Sequence, residues 1–259
     1  MPDYARLDRS ILQEMLFYPR RDHSDPPPGA FDFPVSVDEQ IYITCRFYVG
    51  GQDWPWIIYF HGNGEVASDY DYIAPFYISK SLNLVVADYR GYGASSGMPG
   101  FGHLIADAHT LYSILNAEIK SRNPAARIFI MGRSLGSTSA LELAANYQEA
   151  ISGLIIESGF ASVTRLIKHL HMPASGIDLQ TLEQQCLESI AGINCPSLII
   201  HGEYDNLVPL PEGQLIFQTL PEPDKIFVLI PQAGHNDIIF ARPDIYFNSI
   251  ADFVRMGQY

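Results

Sequence analysis

The chain predicts an α/β fold, a mostly parallel eight-stranded sheet with helices on both faces. Three observations carry that reading. Short, unbroken apolar runs recur along the chain, as strands buried on both faces require. Helix-period stretches separate them from Tyr70 onward, and strands alternating with helices imply a parallel sheet with right-handed crossovers. Glycine and polar residues cluster just after these runs, at the carboxyl strand ends where ligands gather in such sheets.

The elements follow in order. An N-terminal segment of helical character leads to Pro26-Pro27-Pro28-Gly29, a short stiff connector. Phe31 to Val37 and Ile41 to Val49 are predicted to pair as strands, with Asp38-Glu39-Gln40 at the turn. Trp56 to Phe60 reads as a strand buried on both faces. Leu82 to Ala87, Ile128 to Met131, Leu154 to Ile156, Ser197 to Ile200 and Lys225 to Ile230 read the same way. Helical periodicity marks Tyr70 to Ser79, Leu104 to Arg122, Leu135 to Ala145 and Tyr246 to Met256. Between Gly159 and Pro196 there is room for two helices, Ala161 to Leu170 and Thr181 to Ile190, broken at Met172-Pro173-Ala174-Ser175-Gly176. Residues 1–259 are thus read as one domain with a small helical cap inserted at about 159–196.

Composition narrows the function. Hydrophobic residues make up 47% and charged residues 17%, enough apolar material for a sizeable core. The net charge of −13 argues against non-specific nucleic-acid binding and against docking on anionic lipid. Cys45, Cys186 and Cys195 form no disulfide framework, which favours a reducing compartment. Met1 to Pro19 intersperses Asp3, Arg6, Asp8, Arg9 and Glu14, unlike a signal peptide, and no 18-residue apolar run occurs elsewhere. The expectation is a cytoplasmic protein with no integral membrane segment. H-E-x-x-H, C-x-x-C and Walker loops are absent, and Gly91 to Gly102 lacks a helix-opening G-x-G-x-x-G, so no metal or cofactor is expected.

The chemistry centres on Gly132-Arg133-Ser134-Leu135-Gly136, a G-x-S-x-G between an apolar strand and a helix start of small residues. In such an elbow the chain turns sharply and lifts the serine hydroxyl out of the sheet edge. The flanking glycines avoid collisions with neighbouring backbone, and the helix behind offers N–H groups to a developing oxyanion. Serine needs a base within hydrogen-bond reach and an acid to hold that base. The chain supplies Ser134, then Asp205, then His235, in that order.

Five segments together resemble one family. They are His61-Gly62-Asn63-Gly64, Asp88-Tyr89-Arg90-Gly91-Tyr92-Gly93-Ala94-Ser95, the elbow at Ser134, His201-Gly202-Glu203-Tyr204-Asp205-Asn206-Leu207-Val208-Pro209, and Gly234-His235-Asn236-Asp237. The chain resembles a serine α/β-hydrolase, and more narrowly the branch of bacterial esterase-like proteins and eukaryotic protein depalmitoylases. The resemblance implies Ser134 as nucleophile, His235 as proton carrier and Asp205 as its orienting acid. It implies oxyanion donors at the backbone N–H groups of Leu135 and Asn63, with Gly62 and Gly64 letting that loop approach closely. Depalmitoylases look to be anchored by an N-terminal cysteine cluster, and no cysteine precedes Cys45 here, so that feature does not carry over.

Rival assignments are few. Glu203 shares the Asp205 loop, and Glu157-Ser158-Gly159 ends the preceding strand, from which some hydrolases draw their acid. Among the other histidines, His61 and His201 read as structural groups at strand ends, and His103, His109, His169 and His171 as helical. Asp88, Arg90 and Tyr92 read as loop-shaping groups. Arg133 reads as half of a structural ion pair, with binding of an anionic substrate group as the alternative. Leu166, Ile167, Leu170, Met172, Ile177 and Leu179 in the cap are candidates for an apolar acyl site or for ordinary core. The expected activity is hydrolysis of a small-molecule carboxylic ester or thioester through an acyl-enzyme. A peptidase or amidase using the same triad is the alternative enzyme, and a non-catalytic binding protein the alternative class.

Overall fold

The computed structural model describes residues 2, 4, 7–8, 11–221 and 224–256, so Asp3, Arg6 and Arg9 lie outside the described residues. Among the described residues, eight strands form one sheet: β1 (Ala30–Asp38), β2 (Ile41–Tyr48), β3 (Trp56–Phe60), β4 (Asn83–Ala87), β5 (Ile128–Arg133), β6 (Gly153–Glu157), β7 (Ser197–Gly202) and β8 (Lys225–Ile230). Their spatial order is β1-β2-β4-β3-β5-β6-β7-β8. The β1/β2 and β2/β4 pairs are antiparallel, and every pair from β4/β3 onward is parallel. β5, which carries the elbow, is therefore central, flanked by β3 and β6.

The helices are α1 (Ile11–Leu16), α2 (Ala74–Ser79), α3 (Phe101–Arg122), α4 (Gly136–Tyr147), α5 (Val163–His169), α6 (Leu179–Ala191), α7 (Leu210–Thr219), α8 (Ile238–Ala241) and α9 (Pro243–Met256). Strand side chains alternate between two cores because successive residues point to opposite faces. Trp56, Ile58 and Phe60 join the core that also holds Leu12 of α1, Leu111 and Leu115 of α3 and Leu143 of α4. Ile57 and Tyr59 join the opposite core, with Tyr77 of α2 and Tyr246, Phe247 and Ile250 of α9. Both faces of the sheet are thus covered, and the polar strand ends remain at one edge.

Four predicted details differ. The stretch from Tyr70 divides into a 3₁₀ helix, Ala67–Tyr72, and the short α2, separated at Ile73 ahead of Pro75. α7 and α8 were not predicted, although Pro211 in the first turn of α7 is a start signal. β8 is only partly covered, because it pairs on one side alone with β7. His171 lies past the end of α5, in a left-handed turn with φ +53°. All three cysteines are free and buried. Among the described residues, no helix is long and apolar enough to cross a membrane.

Candidate active site

The sheet edge after β5 forms a sharp strand-to-helix turn at Ser134. Ser134 has φ +50°, a conformation that disfavours a side chain and persists only where neighbours fix it. They do so here: the Ser134 N–H donates to the Glu157 carbonyl at 3.0 Å, and its own carbonyl accepts from Ser137 Oγ at 2.6 Å. The glycines are sterically obligatory. A Cβ on Gly136 would lie 2.1 Å from the Phe60 carbonyl oxygen, and one on Gly132 would lie 2.3 Å from the Gly136 oxygen.

Asp205 and His235 arrive from the loops after β7 and β8. The His235 Nδ1–H donates to Asp205 Oδ2 at 2.7 Å, which leaves Nε2 as the proton-accepting nitrogen of the neutral ring. The other Asp205 oxygen accepts the backbone N–H groups of Leu207 at 3.0 Å and Val208 at 2.8 Å. Burial works against ionisation of Asp205. The His235 hydrogen bond, the charge of that ring when protonated, and the Val208 N–H outweigh it and hold the carboxyl below its ordinary range. Ser134 and His235 line one cavity of about 260 Å³. No hydrogen bond joins Ser134 Oγ to the ring among the described residues; such contacts often tighten only when substrate is bound.

The same cavity receives Asn63 and Leu135. Among the described residues neither backbone N–H meets an acceptor, so both are available to a ligand. Gly64 serves that loop through conformation rather than proximity. Its φ is +79°, and the nearest atom to an added Cβ would be Tyr18 Cβ at 4.0 Å.

The rival residues have structural work. Glu157 is completely buried, accepting from Tyr59 Oη at 2.9 Å and Tyr246 Oη at 2.7 Å, and pairing with Arg133 Nη1 at 3.0 Å. Arg133 also donates from Nε to Glu65 Oε1 at 2.7 Å, from Nη1 to the His235 carbonyl at 3.0 Å and from Nη2 to Asn236 Oδ1 at 3.3 Å. Glu65 in turn accepts the Gly62 N–H at 2.7 Å. One guanidinium therefore ties together the elbow, the histidine loop and the loop of Asn63. Burial disfavours the Glu65 carboxylate, but the Arg133 charge and hydrogen bond overcome it and lower its pKa to about 2. Sequence reasoning missed Glu65, although it immediately follows the His61-Gly62-Asn63-Gly64 segment.

His61 donates from Nδ1 to the Gly62 carbonyl at 2.8 Å and from Nε2 to Asp88 at 3.2 Å. His201 donates from Nε2 to the Val208 carbonyl at 2.8 Å. Arg90 holds Asp107 through two hydrogen bonds of 2.7 Å, and Tyr92 Oη donates to Asn63 Oδ1 at 2.6 Å. Of the expected cap liners, Leu166, Leu170 and Met172 reach the cavity. Ile167 is buried in the core, and Ile177 and Leu179 pack against it. Met15, Leu16 and Tyr18 from the N-terminal segment also line the cavity, with Val163, Leu207 and Val208. The chain separation of the first three from the motifs hid them from sequence reasoning.

Comparisons with known proteins agree with this architecture. The family model described as serine aminopeptidase, S33 matches residues 55–174, from β3 through the elbow into the cap. Protein bem46 of Schizosaccharomyces pombe is 32% identical over 206 residues, covering 77% of this chain and 67% of that protein. The α/β hydrolase domain-containing protein aho-3 of Caenorhabditis elegans is 28% identical, covering 70% of this chain and 52% of its own length. A structure of the Pyrococcus furiosus esterase Pf2001 superposes with a TM-score of 0.74 at 18% identity, covering 92% of this chain and 98% of that one. Strand order, elbow and relatives lead to one conclusion: the chain belongs to the α/β-hydrolase family.

Proposed function

We propose that this hydrolase cleaves carboxylic esters or thioesters through an acyl-enzyme on Ser134. The observation that carries the reading is the 2.7 Å bond from His235 Nδ1 to Asp205, which turns Nε2 into a base in the cavity that Ser134 also lines. In this mechanism Nε2 takes the Ser134 proton as Oγ attacks the acyl carbon, and Asp205 stabilises the imidazolium. The Asn63 and Leu135 N–H groups receive the oxyanion, each worth about 2.7–4 kcal/mol in the transition state. His235 then passes the proton to the leaving alcohol or thiol. Water activated by the same ring releases the acid. The chemistry is completed by protein groups and water. The three buried free cysteines suit a reducing compartment, and we propose the cytoplasm as the site of action.

The family model's description raises aminopeptidase activity as a second reading. A free α-ammonium would need an unengaged carboxylate, and among the described residues lining the cavity the one carboxylate is Glu65. Arg133, the Gly62 N–H and Tyr70 Oη already occupy it. Ester cleavage therefore suits the cavity better. A serine-directed fluorophosphonate, read by peptide mass spectrometry, tests the mechanism. An adduct on Ser134, abolished in Ser134→Ala and strongly slowed in His235→Ala, is expected. An adduct on another residue, or none on folded protein, overturns the assignment.

A further inference from the structure

Resting on the acyl-enzyme reading, we infer that Met15–Tyr18 is the second wall of an acyl-chain slot, held in place by the Asn63 carboxamide. Two apolar groups among the residues lining the cavity around Ser134 stand apart in the chain. Leu166, Leu170 and Met172 come from the cap, and Met15, Leu16 and Tyr18 come from the N-terminal segment. Apolar carbon on these two sides suits a saturated chain, while the polar lining groups Asn63, Glu65, Arg133, His235 and Asn236 belong to the rest of the cavity. A cavity of roughly 150 Å³ holds a benzene ring, so one of about 260 Å³ has room for more than an acetyl group. The slot is therefore suited to a medium-length acyl chain.

Asn63 stands at the junction of chemistry and specificity. Its backbone N–H remains available for the oxyanion, while its side chain binds the wall through both its nitrogen and its oxygen. Nδ2 donates to the Leu16 carbonyl at 2.7 Å, and Oδ1 accepts the Tyr18 N–H at 3.0 Å and Tyr92 Oη at 2.6 Å. The wall is anchored at each end as well. Phe17 is buried against Phe101 with ring centroids 4.9 Å apart, and Gln13 Nε2 donates to the Pro99 carbonyl at 2.7 Å. Further along, the Gly93 N–H donates to the Arg20 carbonyl at 2.8 Å and the Asp22 N–H to the Gly93 carbonyl at 3.3 Å. An acyl chain that fills the slot presses on the segment that positions an oxyanion donor. Chain length is thereby coupled to turnover as well as to binding.

The test is the ratio of kcat/KM for p-nitrophenyl octanoate to that for p-nitrophenyl acetate. Met15→Trp, which fills the slot, should lower the ratio at least tenfold. Met15→Ala, which enlarges it, should move the optimum towards dodecanoate. Asn63→Ala keeps the backbone N–H but releases the wall, and should flatten the chain-length profile with the loss mainly in kcat. Tyr18 is an exposed side chain whose truncation spares the core, so Tyr18→Ala guards against misfolding of the others and should lower the ratio several-fold. An unchanged profile in Tyr18→Ala and Met15→Ala, with Ser134 still labelled by fluorophosphonate, overturns the slot. Loss of Ser134 labelling in the unaltered protein overturns the acyl-enzyme reading instead.

Discussion

Replacing Glu65 by Gln isolates the ion pair beneath the site. Arg133 keeps its partner Glu157 but loses the 2.7 Å contact to Glu65, while the Gly62 N–H faces a weaker, neutral acceptor. The Glu65 carboxyl falls from an ordinary 4.5 to about 2 on folding, which corresponds to about 3 kcal/mol. Solvent still reaches 27% of that side chain, and screening reduces the figure to about 2 kcal/mol. The sign follows from a depressed pKa. The stabilisation is complete above 4.5 and is lost as pH falls towards 2, because the unfolded chain binds the proton first. Urea denaturation of both proteins at pH 7, 5, 4 and 3 measures it. The unaltered protein should exceed Glu65→Gln by about 2 kcal/mol at pH 7, and the gap should shrink by about 1–2 kcal/mol on reaching pH 3. A gap under about 0.5 kcal/mol at pH 7, or one independent of pH, refutes the reasoning.

Other outcomes follow from the same coordinates. Asp205→Asn should leave the fold intact and lower kcat by about 10⁴, because the ring loses its tautomer control. Glu157→Gln, which removes Arg133's buried counter-charge, should instead lower the denaturation midpoint and reduce kcat far less; reversal of these two effects would move the acid to β6. Gly136→Ala places a methyl group 2.1 Å from the Phe60 carbonyl and should cost at least about 3 kcal/mol in a thermal melt, with wild-type stability as the contrary result. Steady-state kinetics should show p-nitrophenyl esters turned over at least about 100-fold better in kcat/KM than aminoacyl anilides, a gap of about 2.7 kcal/mol. Faster anilide cleavage would promote the peptidase.

The features legible in the sequence are those written locally. Ile128-Phe129-Ile130-Met131 followed by Gly132 and Gly136 encodes a buried strand and a turn with no room for Cβ atoms, so the elbow could be read directly. The apolar run from Lys225 to Ile230 marked β8 correctly, yet its exposure depends on being the last strand, which no local pattern records. Long-range polar contacts were equally hidden. Asp8 caps α3 by accepting the N–H groups of Phe101 at 2.5 Å and Gly102 at 2.8 Å, across more than ninety residues. Leu16 and Tyr18 meet Asn63 from over forty positions away. The interruption at Ile73 had a visible cause in Pro75, whereas α7 was overlooked despite its proline start.

The Arg133 guanidinium also bears on how the protein is made. Its partners stand 68 residues upstream at Glu65, 24 downstream at Glu157 and 102 downstream at His235. Contacts of such separation form late, because loop-closure entropy opposes them until most of the chain has collapsed. A nascent chain that ends before β8 has Ser134 and its turn but lacks His235 and two acceptors for the buried charge, the His235 carbonyl and Asn236 Oδ1. On the proposed mechanism, Ser134 would have no base until synthesis is nearly complete. On heating, the centre is held to the sheet by the same ties, so catalytic activity and global structure should disappear in one cooperative transition.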